Sequence, residues 1–223
     1  MKRIICNKQV RHKLKRRMSD FEVSSAALPA GGVAAAVAVV VTDLGTGAKL
    51  SGMPVFKQWQ ADAALLLTRR SANLKRHSGQ WAFPGGRLDG TESPEETALR
   101  ETAEEIGLQL SKRHILGRLD DFVTRSGFLI TPIVIWAGPQ QSFCANPGEV
   151  ESIHRIPISE FMRDDAPMLD YTEGEDQPVL RMPVGDNWIA APTAAIIYQF
   201  REVCISGKAT RVAHFDQPKF AWS

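Results

Sequence analysis

Six glutamates fall within the fourteen residues from Glu92 to Glu105, and Arg100 is the one basic residue among them. A segment carrying that much like charge becomes ordered only if its ends are fixed, and here both ends are marked. Ser93 and Glu96 form a Ser-x-x-Glu capping box, Pro94 suits the first helical position, and Gly107 supplies a stop. Ala98, Thr102 and Ile106 recur every four residues beside Leu99 and Ala103, giving the predicted helix a small apolar face. Glu101, Glu104 and Glu105 are related as i, i+3 and i+4, so they crowd one another. Each like-charged pair opposes the helix by about 0.2–0.5 kcal/mol. Glu104 and Glu105 also lie in the last turn, where the helix dipole disfavours negative charge. A hard divalent cation relieves such repulsion. Clustered carboxylates without His or Cys suit magnesium or manganese better than zinc, and a plain solvated acidic face is the alternative.

The rest of the chain bounds the setting. Its 223 residues, 43% of them apolar and 23% charged, fit one large domain or a small domain with additions. Cys6, Cys144 and Cys204 are far apart and contain no Cys-x-x-Cys pair, which excludes a thiolate zinc cluster and suits a reducing compartment. The longest apolar run, Val33 to Val41, is nine residues, short of the roughly 20 a membrane helix needs. A cytoplasmic protein without a membrane span is expected. Eight of the 27 basic residues lie in positions 1–17, where there is no acid, so the remaining 19 face all 25 acidic residues. This arm is expected to be disordered. Nucleic acid, an anionic surface or organelle targeting are its alternative uses, although no aromatic residue interleaves its charges for base stacking.

Domain boundaries follow from composition. Residues 1–32 read as a basic arm and a Ser/Ala/Pro/Gly linker, 33–205 as the folded domain, and 206–223 as a tail. Strands are expected at 33–42, 63–68, 115–124, 128–136, 153–156 and 179–184, with Arg125-Ser126-Gly127 as a hairpin turn. A short helix opened by Ser159 and a last helix at 192–203 complete the list, and 165–187 reads as surface loop around its strand. The long polar stretch between 69 and 90, with Gly79, Pro84, Gly85 and Gly86, reads as a functional loop.

The string Gly86, five residues, Glu92, seven residues, Arg100-Glu101, two residues, Glu104-Glu105, one residue, Gly107-Leu108 resembles the Nudix box. Thr102 stands where that family usually has an aliphatic residue. Upstream, Leu66-Leu67-Thr68, Arg70-Ser71, Gly79 and Phe83-Pro84-Gly85-Gly86 are similar to the coenzyme A pyrophosphatase branch, with Lys75 where the branch usually has Arg. Asn146-Pro147-Gly148-Glu149-Val150 is similar to a segment of the same branch. Ile189 to Ala194 matches its Ile-Trp-Gly-x-Thr-Ala stretch in part, Trp188 lying two places early and Ala191 replacing the Gly.

The resemblance implies an α/β/α sandwich, a mixed sheet between helices. It also implies magnesium- or manganese-dependent hydrolysis of a small-molecule nucleoside diphosphate, here coenzyme A or its thioesters. It gives Glu101 and Glu105 as principal metal ligands and Glu104 as third ligand or general base. The Gly86 carbonyl is an added ligand, Glu92 and Arg100 are a supporting pair, and Glu149 is an alternative base or ligand. From charge, Arg69, Arg70, Lys75 and Arg76 are candidates to hold substrate phosphates, and an ordinary charged loop is their alternative. His77, Trp81, Phe83, Asp120, Asp121 and Arg125 are lesser candidates. ADP-ribose, a dinucleoside polyphosphate or capped RNA remain as other substrates, a non-catalytic ligand-binding module as another class, and self-association is left open.

Overall fold

The computed structural model describes residues 3–72, 79–171 and 177–218. In chain order its elements are α1 (Lys8–Asp20), β1 (Val33–Gly47), β2 (Val55–Arg70), β3 (Trp81–Ala82), β4 (Gly85–Arg87), α2 (Pro94–Ile106), β5 (Ile115–Arg118), β6 (Phe122–Val123), β7 (Phe128–Gly138), β8 (Val150–Pro157), β9 (Met168–Asp170), β10 (Val179–Val184), β11 (Asn187–Ala190) and α3 (Thr193–Phe200). A π-helical stretch, Arg201–Ser206, extends α3.

The Val/Ala run of β1 is buried on both faces, as a central strand requires. It pairs antiparallel with β2 and parallel with β7, so the sheet is mixed. The strand order is β3-β2-β1-β7-β5, with β4 added to β1, β6 to β7 and β8 to β2. Successive side chains of β1 and β2 feed two separate cores. Ala36, Ala38, Val40 and Leu66 pack with Ala98 and Ile106 of α2 on one face. Val39, Val41, Leu65 and Leu67 pack with Leu14 and Met18 of α1 and Ile196, Ile197 and Phe200 of α3 on the other. The α/β/α layering is therefore a direct result of period-two alternation in two apolar strands. No helix among the described residues is long and apolar enough to cross a membrane.

Three segments differ from the sequence expectation. The arm and linker are ordered over their described residues, 3–32. The Asn7 side chain caps α1 by accepting from the Val10 N–H at 3.0 Å, and Leu14 and Met18, one turn apart, bury their side chains. Arg17 donates to the Cys204 carbonyl at 2.8 Å, and the linker's Ser24 N–H donates to Asp120 at 2.7 Å. The density of positive charge masked this single apolar stripe. Residues 165–187 are not loop around one strand, because β9, β10 and β11 form their own antiparallel sheet. Nor is 206–218 a free tail, since Val212 and Phe215 are buried and Asp216 bridges to Val179.

Truncating Leu14, 1% exposed beneath α1, tests the integration of the arm. Leu14→Ala is expected to lower stability to chemical denaturation by about 2–5 kcal/mol, whereas a disordered arm would leave the unfolding midpoint unmoved.

Candidate active site

Both ends of α2 are fixed. Glu96 N–H donates to the Ser93 hydroxyl at 3.3 Å and the Glu96 carboxylate accepts from the Ser93 N–H at 3.0 Å, closing the capping box. Gly107 takes a left-handed φ of 68° and donates back to Ala103. The loop before β8 then covers the open end: Cys144 N–H donates to the Ile106 carbonyl and Asn146 N–H to the Glu105 carbonyl, each at 2.9 Å. The buried Thr102 hydroxyl donates to the Ala98 carbonyl at 2.6 Å, which satisfies it inside the helix–sheet core.

Arg100 gathers the acidic groups on one side of the helix. Its Nε donates to Glu92 at 2.9 Å and its terminal nitrogen to Glu101 at 2.8 Å and Glu104 at 3.0 Å. The hydrogen bonds from Arg100 and Thr97 pull the Glu92 carboxyl down to about 2, so Glu92 is a charged anchor for the guanidinium. Glu104, its side chain 53% exposed, stays on this outer face.

Glu101 and Glu105 point instead into a cleft of about 710 Å³ that also receives Arg70 and Glu149. Burial raises the Glu101 pKa against the opposing pull of Arg100. Burial, then the neighbouring Glu101 charge, pushes Glu105 up to about 8, while Arg70 and the Gly85 backbone oppose the rise. Gly86 of β4 lies against the pair. A Cβ there would fall 2.1 Å from the Glu101 carboxylate oxygen, so any larger residue would push that carboxylate out of its present place.

These features fit a hard dication. Glu105 is buried and Glu101 partly so, the two carboxylates repel each other, the described residues lining the cleft include no His or Cys, and a main-chain segment without a side chain lies alongside. Among the described residues no three His, Cys, Asp or Glu side chains surround a single point. The structure thus brings Glu101, Glu105 and Gly86 together, while Glu104 shares an Arg100 nitrogen with Glu101 and does not line the cleft.

Arg69 and Arg70 separate because consecutive residues of a strand face opposite ways. Arg70 lines the acidic cleft, and its buried Nε has no hydrogen-bond partner. Arg69 lies 3.9 Å over the Trp81 ring, donates to the Gly79 carbonyl at 2.8 Å, and lines a second hollow of about 190 Å³. Trp81 borders both hollows, and Phe83 borders the first. Lys75, Arg76 and His77 lie outside the described residues. Asp120, Asp121 and Arg125 do not face the cleft with free charge. Asp120 binds Arg211 at 2.7 Å and Gln199 at 2.6 Å, Asp121 binds Arg118 and Thr131, each at 2.7 Å, and Arg125 binds Asp216. Sequence reading missed Arg87, Ser126, Phe128 and Gln217 at the far end of the cleft, since only the folded sheet brings them there.

A family model for the NUDIX domain matches residues 51–174, more than half of the chain. The chain belongs to this family. It is 45% identical over 103 residues to the uncharacterized Nudix hydrolase NudL of Yersinia enterocolitica, covering 46% of this chain and 53% of that one. It is 40% identical over 104 residues to Nudix hydrolase 3 of Caenorhabditis elegans, covering 45% and 43%. The chain thus spans about half the length of the curated relatives it matches. Among solved structures it resembles the Nudix domain of Shewanella oneidensis NrtR complexed with ADP ribose. That likeness has a TM-score of 0.47 and 18% identity over 82% of this chain and 90% of that one.

The Nudix helix therefore has a measurable electrostatic signature. A carboxyl whose folded pKa is raised contributes stability that is present at low pH and lost as pH climbs through about 8. Without divalent ions, the wild type should lose melting temperature between about pH 5 and about pH 9 more steeply than Glu105→Gln. Magnesium should restore the wild type and leave the variant nearly unchanged. Equal slopes in a thermal shift series would show that Glu105 is not a repelled, ion-seeking carboxyl.

Proposed function

We propose that this Nudix chain is a divalent-metal-dependent pyrophosphohydrolase that cleaves coenzyme A or its thioesters to 3′,5′-ADP and 4′-phosphopantetheine or its acyl form. The observation that carries the reading is the Glu101–Glu105 pair, Glu105 buried and Glu101 against Gly86, on the wall of an open cleft. Glu101 and Glu105, with the Gly86 carbonyl, would hold magnesium or manganese. Such an ion, when bound, neutralises the diphosphate oxygens and acidifies water.

The chain's own residues do the rest. Arg70 binds a diphosphate oxygen from the same wall, and its unpartnered buried Nε is suited to that task. Glu149 stands exposed in the cleft lining and takes the proton of the attacking water as its oxygen bonds phosphorus and the bridging P–O bond breaks. Arg100 keeps Glu101 oriented and, through Glu92, keeps itself in place.

Two features favour coenzyme A over a compact sugar diphosphate. The Arg70-Ser71 pair of the branch signature is tied to the catalytic loop, for Ser71 N–H donates to the Glu149 carbonyl at 2.8 Å. The second hollow, walled by Arg69, Trp81 and Trp188, opens beside the acidic cleft and offers room for a long non-nucleotide arm.

Incubation with coenzyme A, ADP-ribose and a dinucleoside polyphosphate, each with magnesium or manganese, tests the reading by mass spectrometry of the products. Release of 3′,5′-ADP and 4′-phosphopantetheine is expected, and cleavage of ADP-ribose alone would overturn the substrate. Glu105→Gln should lower kcat/KM by about a hundredfold or more, and Glu104→Gln by much less.

A further inference from the structure

The basic helix α1 takes no part in the cleft: no residue of 3–32 lines either hollow. Its inner side is fixed to the body. Val10, Leu14 and Met18 pack into the core shared with α3, and Arg17 donates to the Cys204 carbonyl. With about 3.6 residues per turn, Lys8, His12, Lys15 and Arg16 fall within about 100° of one another on the outer side. All four are exposed. From Lys8 to Arg16 the row runs about 12 Å along the axis. Arg11 donates to the Arg113 carbonyl at 3.3 Å, which brings the exposed Arg113 beside the row.

This charge is not offset where it stands. The first turn of α1 has no acidic residue, and Lys8 occupies the end where the helix dipole disfavours a cation. Lys8 with Arg11 and Arg11 with Lys15 are like-charged neighbours three and four residues apart. Arg3 is paired with Asp62 and Lys112 with Glu96, but Lys8, Lys15, Arg16 and Arg113 make no ion pair with an acidic side chain among the described residues. Outside positions 1–17 acidic residues outnumber basic ones, so the positive charge is concentrated on this one face. Docking through Leu14 and Met18 turns what a free arm would spread in space into a rigid line of cations.

A line of cations without counter-charge fits a line of anions, and duplex DNA carries one charge about every 1.7 Å of its axis. A helix that binds membranes inserts its apolar side, which in α1 is already buried in the core. The exposed large apolar side chains Leu28, Val55, Trp59, Val123, Leu169 and Tyr171 all lie outside α1 and the 112–114 turn. Single strands are held by aromatic stacking, and the row has no aromatic ring beyond His12. Duplex RNA is recognised largely through its 2′-hydroxyls, whereas the row offers cations. We propose that the outer face of α1, with Arg113, docks on the phosphate backbone of double-stranded DNA and leaves the cleft open. Lys8, Lys15, Arg16 and Arg113 each meet a phosphate, so binding is independent of base sequence. This partner goes beyond the hydrolase reading and does not depend on it.

Fluorescence anisotropy of the full chain with short labelled DNA duplexes of two unrelated sequences, over a salt series, tests the assignment. Both duplexes should bind alike, with log affinity falling against log salt at a slope of about −3.6, the value for four phosphate contacts. The triple variant Lys8→Gln, Lys15→Gln, Arg16→Gln should bind at least about tenfold more weakly at low salt and reduce the slope to about −1. Glutamine relieves repulsion on an exposed helix face, so this variant should melt no lower than the wild type. Lys57→Gln, at an exposed lysine of β2, should leave affinity and slope unchanged. No binding at low salt, or an unchanged slope in the triple variant, would overturn the proposal. So would a tenfold preference between the two sequences, or tighter binding to an RNA duplex, a single strand or phosphatidylserine vesicles at equal anionic charge. Cleavage of coenzyme A by the triple variant should equal that of the wild type, so failure of DNA docking and failure of the hydrolase reading are told apart.

Discussion

Glu105, buried in the last turn of α2 with Glu101 one turn before it, is disfavoured three times over, by desolvation, by repulsion from Glu101 and by the helix dipole. The burial that raises both Glu101 and Glu105 is imposed by α2 packing on β1 and β4. The surroundings read as a set of restraints on that one unfavourable contact. The capping box holds the first turn, the Cys144–Asn146 backbone covers the last carbonyls, and Arg100 spreads its charge over Glu92, Glu101 and Glu104. None of these removes the repulsion between Glu101 and Glu105. They hold the pair in place while it remains, which is the state a site for a dication requires.

The sheet decides what else reaches the pair. Strand β1 lies between β2 and β7, so the cleft above β4 inherits one wall from each neighbour. Arg70 and Glu149 come from the β2–β8 side, where Arg70 is paired with Val150. Phe128 comes from the β7 side, and Gln217 from the far end of the chain. The face opposite α2 reaches the cleft through Pro192, Thr193 and Ile196 at the start of α3. It is filled by α1 and α3, and Arg17 ties the two together at the Cys204 carbonyl.

The parts legible in the sequence are those whose causes are local. Ser93, Pro94, Glu96 and Gly107 mark the limits of α2 because capping depends on residues within one turn. The two-sided burial of β1 follows from an unbroken Val/Ala run. What failed depends on contacts distant in sequence. The stripe of Leu14 and Met18 has too few apolar residues to outweigh eight positive charges until the partner surface around Cys204 is known. Asp120 and Asp121 interrupt the predicted 115–124 strand because they turn inward to bind Arg211, Arg118 and the linker backbone. Arg69 and Arg70 read as one basic group, and strand alternation sends them to different hollows.

The placement of Glu104 bears on which carboxylate handles the proton. A base must reach the water that attacks phosphorus, and geometry takes precedence over acidity in choosing it. Glu104 does not line the cleft and shares Arg100 with two other glutamates, so using it would require breaking an ion pair. Glu149 is already in the cleft lining and is carried by a loop hydrogen-bonded at both ends, through Ser71 N–H to its own carbonyl and from its own N–H to Asn146. In the proposed reaction the helix therefore supplies the ligands and the loop supplies the base. That division has a physical merit: a base on its own segment adds no further charge to a helix that already carries Glu101, Glu104 and Glu105.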